Sequence, residues 1–215
     1  MADQAAIDKV VGALHWLGHD SFRLDSSQGA IYFDPYEIKG GPVASLILVS
    51  HDHFDHCVPE DIAKIQGPDT VILTEPDSAR KLSGKVKALA PGQEVTLGSI
   101  KVNTVPAYNL DKEFHPRAKN WLGFILTVDG VSIYHAGDTD YIPEMDHLRV
   151  DVALLPVSGT YVMTAEEAVR AAQAIGPKLA IPMHYGAIVG DDNDAKQFAE
   201  ALEGLVPVRI LPRED

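Results

Sequence analysis

Residues 50–57 read SHDHFDHC and directly follow the apolar run 46–49, so three histidines and two aspartates stand where a strand is expected to end. Imidazole nitrogens and carboxylate oxygens are the ligands that Zn²⁺, Mn²⁺ and Fe²⁺ take from proteins. Four of these residues form the pattern His51-x-His53-x-Asp55-His56. They exceed what one ion usually takes from a single loop, and therefore indicate two ions. The fold must bring further ligands to this strand end.

Two later strand ends offer such ligands. Asp138 lies in a Gly-Asp-Thr turn after the apolar run 131–133, and His184 lies in IPMHYG at the end of another run. Taken alone, Asp138 would more often be a turn residue that caps its own backbone, and His184 a core histidine. Because both follow strands, as the histidine-rich loop does, we interpret all three segments as parts of one metal site.

Short runs typical of β-strands recur along the chain, and helical patterns are fewer. Strands are predicted over 14–17, 21–24, 30–33, 46–49, 71–74, 86–89, 100–105, 122–128, 131–135, 152–155, 179–182 and 206–211. Helices are predicted over 59–65, 76–82, 164–175 and 195–202, the third with a capping box. This order predicts an α+β sandwich of two packed sheets with helices outside, in one domain over 1–215.

Charge and cysteine content limit the partners. The 215 residues contain 18 Lys and Arg against 31 Asp and Glu, a net charge of −13, without a basic cluster, so nucleic acid is not an expected partner. The one cysteine, Cys57, excludes an intrachain disulfide and is expected to be a small buried residue. No apolar run is long enough for a bilayer, and the start lacks a signal-peptide pattern. We expect a cytoplasmic protein that does not contact a membrane.

The motifs resemble those of a known superfamily. HDHFDH matches the His-x-His-x-Asp-His motif of the metallo-β-lactamase fold, and the Gly-Asp-Thr and Met-His-Tyr segments follow in the expected order. WLGHDSFRL, YFDPY and LPVSGTYVMTAEEA are similar to the UlaG-like branch related to L-ascorbate-6-phosphate lactonase. This resemblance implies a four-layer αββα sandwich of two mixed β-sheets with helices on the outer faces.

The resemblance also implies two divalent metal ions, with zinc the first expectation and manganese or iron the alternatives. Its ligands would be His51 and His53 for the first ion, Asp55, His56 and His184 for the second, and Asp138 between the two. Asp55 and Asp138 are the candidate catalytic residues. Asp34 stands where the family keeps an aspartate that supports the histidine-rich loop, although it could also be a turn residue before Pro35.

One position departs from the family pattern. The third histidine of the first ion should follow the strand that ends near residue 105, but the chain has Asn109 there and a histidine only at His115. Asparagine is a poor zinc ligand. His115 could fold back into the gap, the first site could be weaker than usual, or His115 could bind substrate.

Two more histidines lie near predicted strand ends. His19 matches a glycine-histidine pair near the active site of relatives, where it could contact substrate or brace a hairpin. His135 precedes the Gly-Asp-Thr turn and could hold a ligand or pack beneath the site.

Together these features predict a metal-dependent hydrolase that uses hydroxide activated by two metals on a small ester, lactone or phosphodiester. No Gly-x-Ser-x-Gly elbow offers a serine nucleophile. The alternative is a metal-binding or sensory module of the same fold with little turnover, motivated by Asn109. A redox di-iron site ranks last, because the ligand set is rich in histidine. The expected partner is a small molecule, and a homo-oligomer is compatible with the sequence.

Overall fold

The computed structural model describes residues 2–214 and contains two six-stranded sheets. The strands of the first sheet are β1 Leu14–Gly18, β2 Ser21–Ser26, β3 Gly29–Phe33, β4 Ala44–Leu48, β5 Gln66–Thr74 and β6 Lys85–Ala88. They lie side by side in chain order. The pairs from β1 to β3 are antiparallel and those from β3 to β6 are parallel, so this sheet is mixed.

The second sheet repeats this change of direction. Its strands are β7 Glu94–Leu97, β8 Ile100–Pro106, β9 Leu122–Val128, β10 Val131–His135, β11 Val152–Pro156 and β12 Leu179–Met183. They also follow chain order across the sheet, antiparallel from β7 to β10 and parallel from β10 to β12. Two mixed sheets with helices confirm the predicted α+β sandwich.

Residues 2–214 also form five α-helices and two short 3₁₀ segments. The helices are α1 Gln4–Gly12, α2 Pro59–Ile65, α3 Pro76–Ala79, α4 Ala165–Ile175 and α5 Asp192–Ala201. The capping box predicted at Thr164 is present, since its side chain accepts from the Glu167 backbone and Glu167 reaches back in return. Within residues 2–214, no helix has the length and apolar content needed to cross a membrane.

Apolar side chains fill the space between the sheets. Phe33 of the first sheet stacks on His135 of the second with ring centroids 5.0 Å apart, and Phe22 meets the same imidazole edge-on. A smaller cluster on the other face of the first sheet joins Tyr32 and Ile47 to Ile62 of α2. Because each sheet is packed on both faces, its strand ends are held in fixed positions.

The strand ends that carry the predicted ligands meet at one edge of the sandwich. β4, β10 and β12 all end there, immediately before the segments that contain His51, Asp138 and His184. The two sheets are joined at this edge by a hydrogen bond of 3.1 Å from the Leu122 backbone N–H to the Ser50 carbonyl. The packing of the two sheets therefore brings the predicted ligand segments together.

Several secondary-structure predictions need correction. Residues 206–211 do not form a strand but make a single bridge from Val208 to Ala180, since Pro207 has no N–H to donate to a ladder. β7 was not predicted, and neither was α1, which Asp3 caps and which buries Ile7. Helix α5 begins three residues earlier than predicted, at Asp192 rather than 195, because the Asp191 side chain accepts from the Asn193 N–H.

Candidate metal centre

Three histidines form the first group of ligand atoms at this edge. The ring nitrogens of His51, His53 and His115 lie within 4.8 Å of one another. His51 Nε2 is 3.0 Å from His53 Nδ1. Trp121 packs beside both rings, with centroid distances of 4.8 and 4.7 Å, and is itself buried. The structure thus brings His115, and not Asn109, to the two histidines of the loop.

Asn109 holds the His115 ring rather than facing the site. Its Oδ1 accepts from the His115 backbone N–H and lies 3.0 Å from His115 Nδ1, while its Nδ2 donates to Asp140 and to the Tyr161 carbonyl. With Nδ1 turned to oxygen acceptors, His115 Nε2 is left facing the site, where it is buried and makes no hydrogen bond. Such a hydrogen bond fixes the tautomer of a metal-binding imidazole.

The second group surrounds Asp138. Asp138 Oδ1 lies 3.4 Å from His56 Nε2, and its Oδ2 lies 3.3 Å from His184 Nε2. The same Oδ2 is 3.1 Å from His115 Nε2 and 4.0 Å from His51 Nε2. The carboxylate of Asp138 therefore touches both groups and stands between them.

The histidines of the second group are also held from behind. Asp34 Oδ2 lies 2.9 Å from His56 Nδ1 and accepts from the Ser50 hydroxyl at 2.6 Å, and its Oδ1 accepts from the Ser50 N–H at 2.7 Å. Asp34 thus supports the loop in the manner the resemblance implies. Ser158 Oγ lies 2.8 Å from His184 Nδ1 and leaves Nε2 toward Asp138.

Of two further predicted residues, Asp55 lies at the rim of the site and His135 lies beneath it. Asp55 Oδ2 lies 3.2 Å from His19 Nε2 and 3.9 Å from His56 Nε2, so Asp55 reaches the second group from its solvent side. His135 lies deeper: its Nε2 bonds to the Asp20 carbonyl at 2.8 Å and its ring packs on phenylalanine. The contacts of His135 are those of a core residue beneath the site.

Asp20 is a residue that sequence reasoning missed. Its side chain is fully buried beside Asp138 and His184, and neither carboxylate oxygen has a hydrogen-bond partner. Burial raises the pKa of this carboxyl well above its usual range. The sequence does contain one signal for Asp20. It is an acidic residue next to His19, at the start of an apolar strand, where a charge is not expected.

Three of the six non-glycine residues with a positive φ angle among residues 2–214 lie at this edge. His19, Asp34 and His184 adopt left-handed φ angles of 50°, 39° and 60°. Residues with a β-carbon rarely adopt this region, and they do so mainly where the surrounding structure holds them at functional sites. Gly137 meets a related constraint, because a β-carbon there would lie 2.8 Å from the Leu122 carbonyl oxygen.

The buried charges divide the imidazoles into two kinds. Burial lowers the pKa of His51 well below its usual value and lowers that of His53 as well, so both rings are neutral. Burial also opposes protonation of His56 and His184, but the Asp138 carboxylate outweighs it, raising the pKa of His56 well above normal and that of His184 to about 9. These histidines in turn hold the pKa of Asp138 well below normal despite its burial.

These residues fit a divalent metal. His56 Nε2, His115 Nε2 and Asp138 Oδ1 are buried atoms without hydrogen-bond partners, and they face one another across the site. Unpaired buried polar atoms are unfavourable, whereas the same nitrogen and oxygen atoms are good ligands for a divalent cation. Cys57 is not part of this set: it is buried in the cluster under α2, and burial raises the pKa of its thiol to about 11.

Comparisons with known proteins agree with this geometry. A model of the beta-lactamase superfamily domain matches residues 13–184. A UPF0173 metal-dependent hydrolase of Methanoculleus marisnigri is 33% identical, over 92% of this chain and 91% of the relative. Among solved structures, a Parabacteroides distasonis protein proposed to be a metal-dependent hydrolase has a TM-score of 0.84 at 35% identity, over 92% and 91% of the two chains. A metallo hydrolase of Ignicoccus hospitalis has a TM-score of 0.75 at 25% identity, over 94% and 95%.

Metal binding is expected to release protons. In the metal-free protein the pKa of His184 is about 9, so near pH 7 its ring carries a proton that a metal ion must displace. The affinity for zinc should therefore rise with pH until about 9, by about tenfold per pH unit for each proton released. Calorimetric titration with Zn²⁺ in buffers of different ionisation enthalpy counts the released protons.

His184→Gln should lose one released proton, while His147→Gln, at an exposed histidine that belongs to none of the ligand clusters, should keep the wild-type number. An affinity that is flat between pH 6 and the pKa of about 9 would contradict this account of the charges.

Proposed function

The chain belongs to the beta-lactamase superfamily. On this basis we propose that it is a two-metal hydrolase acting on a small ester, lactone or phosphodiester. Membership of this superfamily, together with relatives named metal-dependent hydrolase, makes the chain a metal-dependent hydrolase. The number of ions, their ligands and the substrate are the content of the proposal.

The position of Asp138 is the observation that carries the two-metal proposal. One of its oxygens lies within 3.4 Å of His56, and the other lies within 3.3 Å of both His115 and His184. A carboxylate placed between two sets of imidazoles is suited to bridge two cations. A single ion would leave one of the sets with buried, unpaired nitrogens.

The proposed ligands divide into two sets that share Asp138. The first ion would be held by His51, His53 and His115, and the second by Asp55, His56 and His184. When bound, such ions lower the pKa of a coordinated water and polarise the carbonyl or phosphoryl oxygen of a substrate.

Three polar contacts orient these ligands before any substrate arrives. Asp34 fixes the His56 ring, Asn109 fixes His115 and Ser158 fixes His184, each through the nitrogen that points away from the site. Preorganised ligands of this kind lose little freedom during the reaction. The buried Trp121 ring covers His51 and His53 from the side and keeps water away from them.

The pair of His19 and Asp55 is placed to move a proton. Their facing atoms, Nε2 and Oδ2, are 3.2 Å apart, and Asp55 is the more exposed of the two at the mouth of the site. A hydrogen-bonded imidazole and carboxylate can hold one proton between them and pass it to a leaving alkoxide. This assigns Asp55 a second role beside its contact with the second ion.

The mouth of the site favours a substrate with an apolar part. Among residues 2–214, seven large apolar side chains are exposed, and four of them lie on the loops that carry His53, His115 and His184. These four are Phe54, Leu110, Phe114 and Ile188. An uncharged ester or lactone with an apolar substituent suits such a rim.

The sensory alternative was motivated by the asparagine at position 109. In the structure Asn109 supports His115, whose Nε2 stands in the gap, so this motivation no longer favours a module without turnover.

Asp138→Ala tests the two-metal centre. Removing the shared carboxylate should lower the zinc content from two ions per chain to one or none and reduce kcat/KM on an ester and phosphodiester panel by on the order of 10²–10³. The control Asp111→Ala removes an exposed carboxylate and should retain both properties. An unchanged metal count in Asp138→Ala, measured by plasma mass spectrometry, would sink the assignment.

Asn109→Ala tests how the first ion is completed. Without the amide, His115 Nδ1 keeps the Tyr161 carbonyl but loses the second acceptor that orients the ring, so zinc affinity at one of the two sites should fall about tenfold. Glu113→Ala, an exposed change on the same loop, is the matched control. If His115 instead binds substrate, Asn109→Ala will raise KM while both zinc affinities stay at wild-type values, and the ligand assignment is wrong.

A further inference from the structure

The carboxyl group of Asp20 has no partner in a fully buried position. Asp20 follows β1 in the turn that leads into β2, and both its oxygens are shielded from solvent without a hydrogen bond. No lysine or arginine forms an ion pair with it in the part of the chain that the structure describes. Its side chain points toward Asp138 and His184, with one ligand atom of each within 4.8 Å of the others.

The neighbours of Asp20 are already engaged elsewhere. Asp34 and His135 also lie within 4.8 Å, but Asp34 is held by Ser50 and His56, and His135 Nε2 bonds to the Asp20 backbone carbonyl. Carboxylates that remain buried in proteins are hydrogen-bonded, paired with a cation or bound to a metal. For Asp20 the protein itself provides neither of the first two arrangements.

We propose that Asp20 is an additional ligand of the second metal ion, approaching it from the core side of His184. This inference rests on the proposed two-metal function and adds a residue outside the ligand pattern of the motif. The second ion would then be surrounded by the carboxylates of Asp20, Asp55 and Asp138 and by two imidazoles. The first ion keeps three imidazoles and shares one carboxylate.

The two positions would therefore differ in the metal they prefer. Sites rich in imidazole suit zinc, whereas oxygen ligands favour harder ions such as Mn²⁺. Neutral nitrogen donors also compensate less of the ion's positive charge than carboxylates do. A third carboxylate makes the second position the more oxygen-rich of the two. We expect a mixed centre when zinc is limited to one equivalent and manganese is in excess, with zinc at the three histidines and manganese beside Asp20.

Asp20→Asn separates a ligand from a structural residue, because it keeps the size of the side chain and removes its charge. Wild type supplied with one equivalent of Zn²⁺ and then with a large excess of Mn²⁺ should contain one of each ion per chain, measured by plasma mass spectrometry and by the Mn²⁺ electron paramagnetic resonance signal. In Asp20→Asn the Mn²⁺ affinity should fall by about tenfold or more, with one zinc retained. Asp61→Asn, at a buried carboxylate paired with Lys64 on α2, is the matched control.

Thermal unfolding supplies the second readout. Metal-free Asp20→Asn should unfold at the same temperature as metal-free wild type or higher, because the buried carboxyl group has no hydrogen bond to lose, and Mn²⁺ should raise its Tm less than that of wild type. A variant with wild-type Mn²⁺ affinity overturns the proposal, and so does one whose metal-free form is clearly destabilised. If wild type binds two ions and only the Asp20 result fails, the two-metal function stands, whereas a wild type with a single ion overturns both.

Discussion

The buried carboxylate of Asp138 is the centre on which the remaining contacts depend. Four imidazoles reach it from three separate segments, at 3.1 to 4.0 Å, although it is almost completely shielded from water. A charge in such a place is stable only with compensating positive charge. Protons on His56 and His184 supply that charge in the metal-free protein, and divalent ions would supply it in the active form. Binding of metal and loss of protons are consequently one process.

The sandwich serves this centre by delivering strand ends to one edge, and a ring of polar side chains then sets the angle of each ligand. Asp34, Asn109 and Ser158 each bond to the far nitrogen of one histidine. These supporting residues come from loops after three different strands. The site therefore depends on the position of the two sheets relative to each other. The left-handed backbone at His19 and His184 is part of the same arrangement.

The sequence predicts elements that have a periodic or local residue pattern. It predicts less well which residue enters the site when that depends on the path of a loop. The recurring strand patterns lead correctly to a two-sheet fold, and the histidine-rich segment leads to residues that the structure gathers at strand ends. The choice between Asn109 and His115 depends on the path of residues 106–116, which has no periodic pattern to interpret. Asp20 was missed because its importance comes from burial without a partner, a property of packing. The strand expected at 206–211 does not form because Pro207 has no N–H to donate to a ladder.

The central claim, that Asp138 stands between two metal ions, is tested most directly by anomalous diffraction from crystals of the zinc-loaded protein. The account predicts two anomalous peaks about 3.5–4 Å apart on opposite sides of the Asp138 carboxylate. One peak should lie among His51, His53 and His115, and the other should lie within bonding distance of His56 and His184. A single peak, or a pair of which one lies away from Asp138, would contradict it.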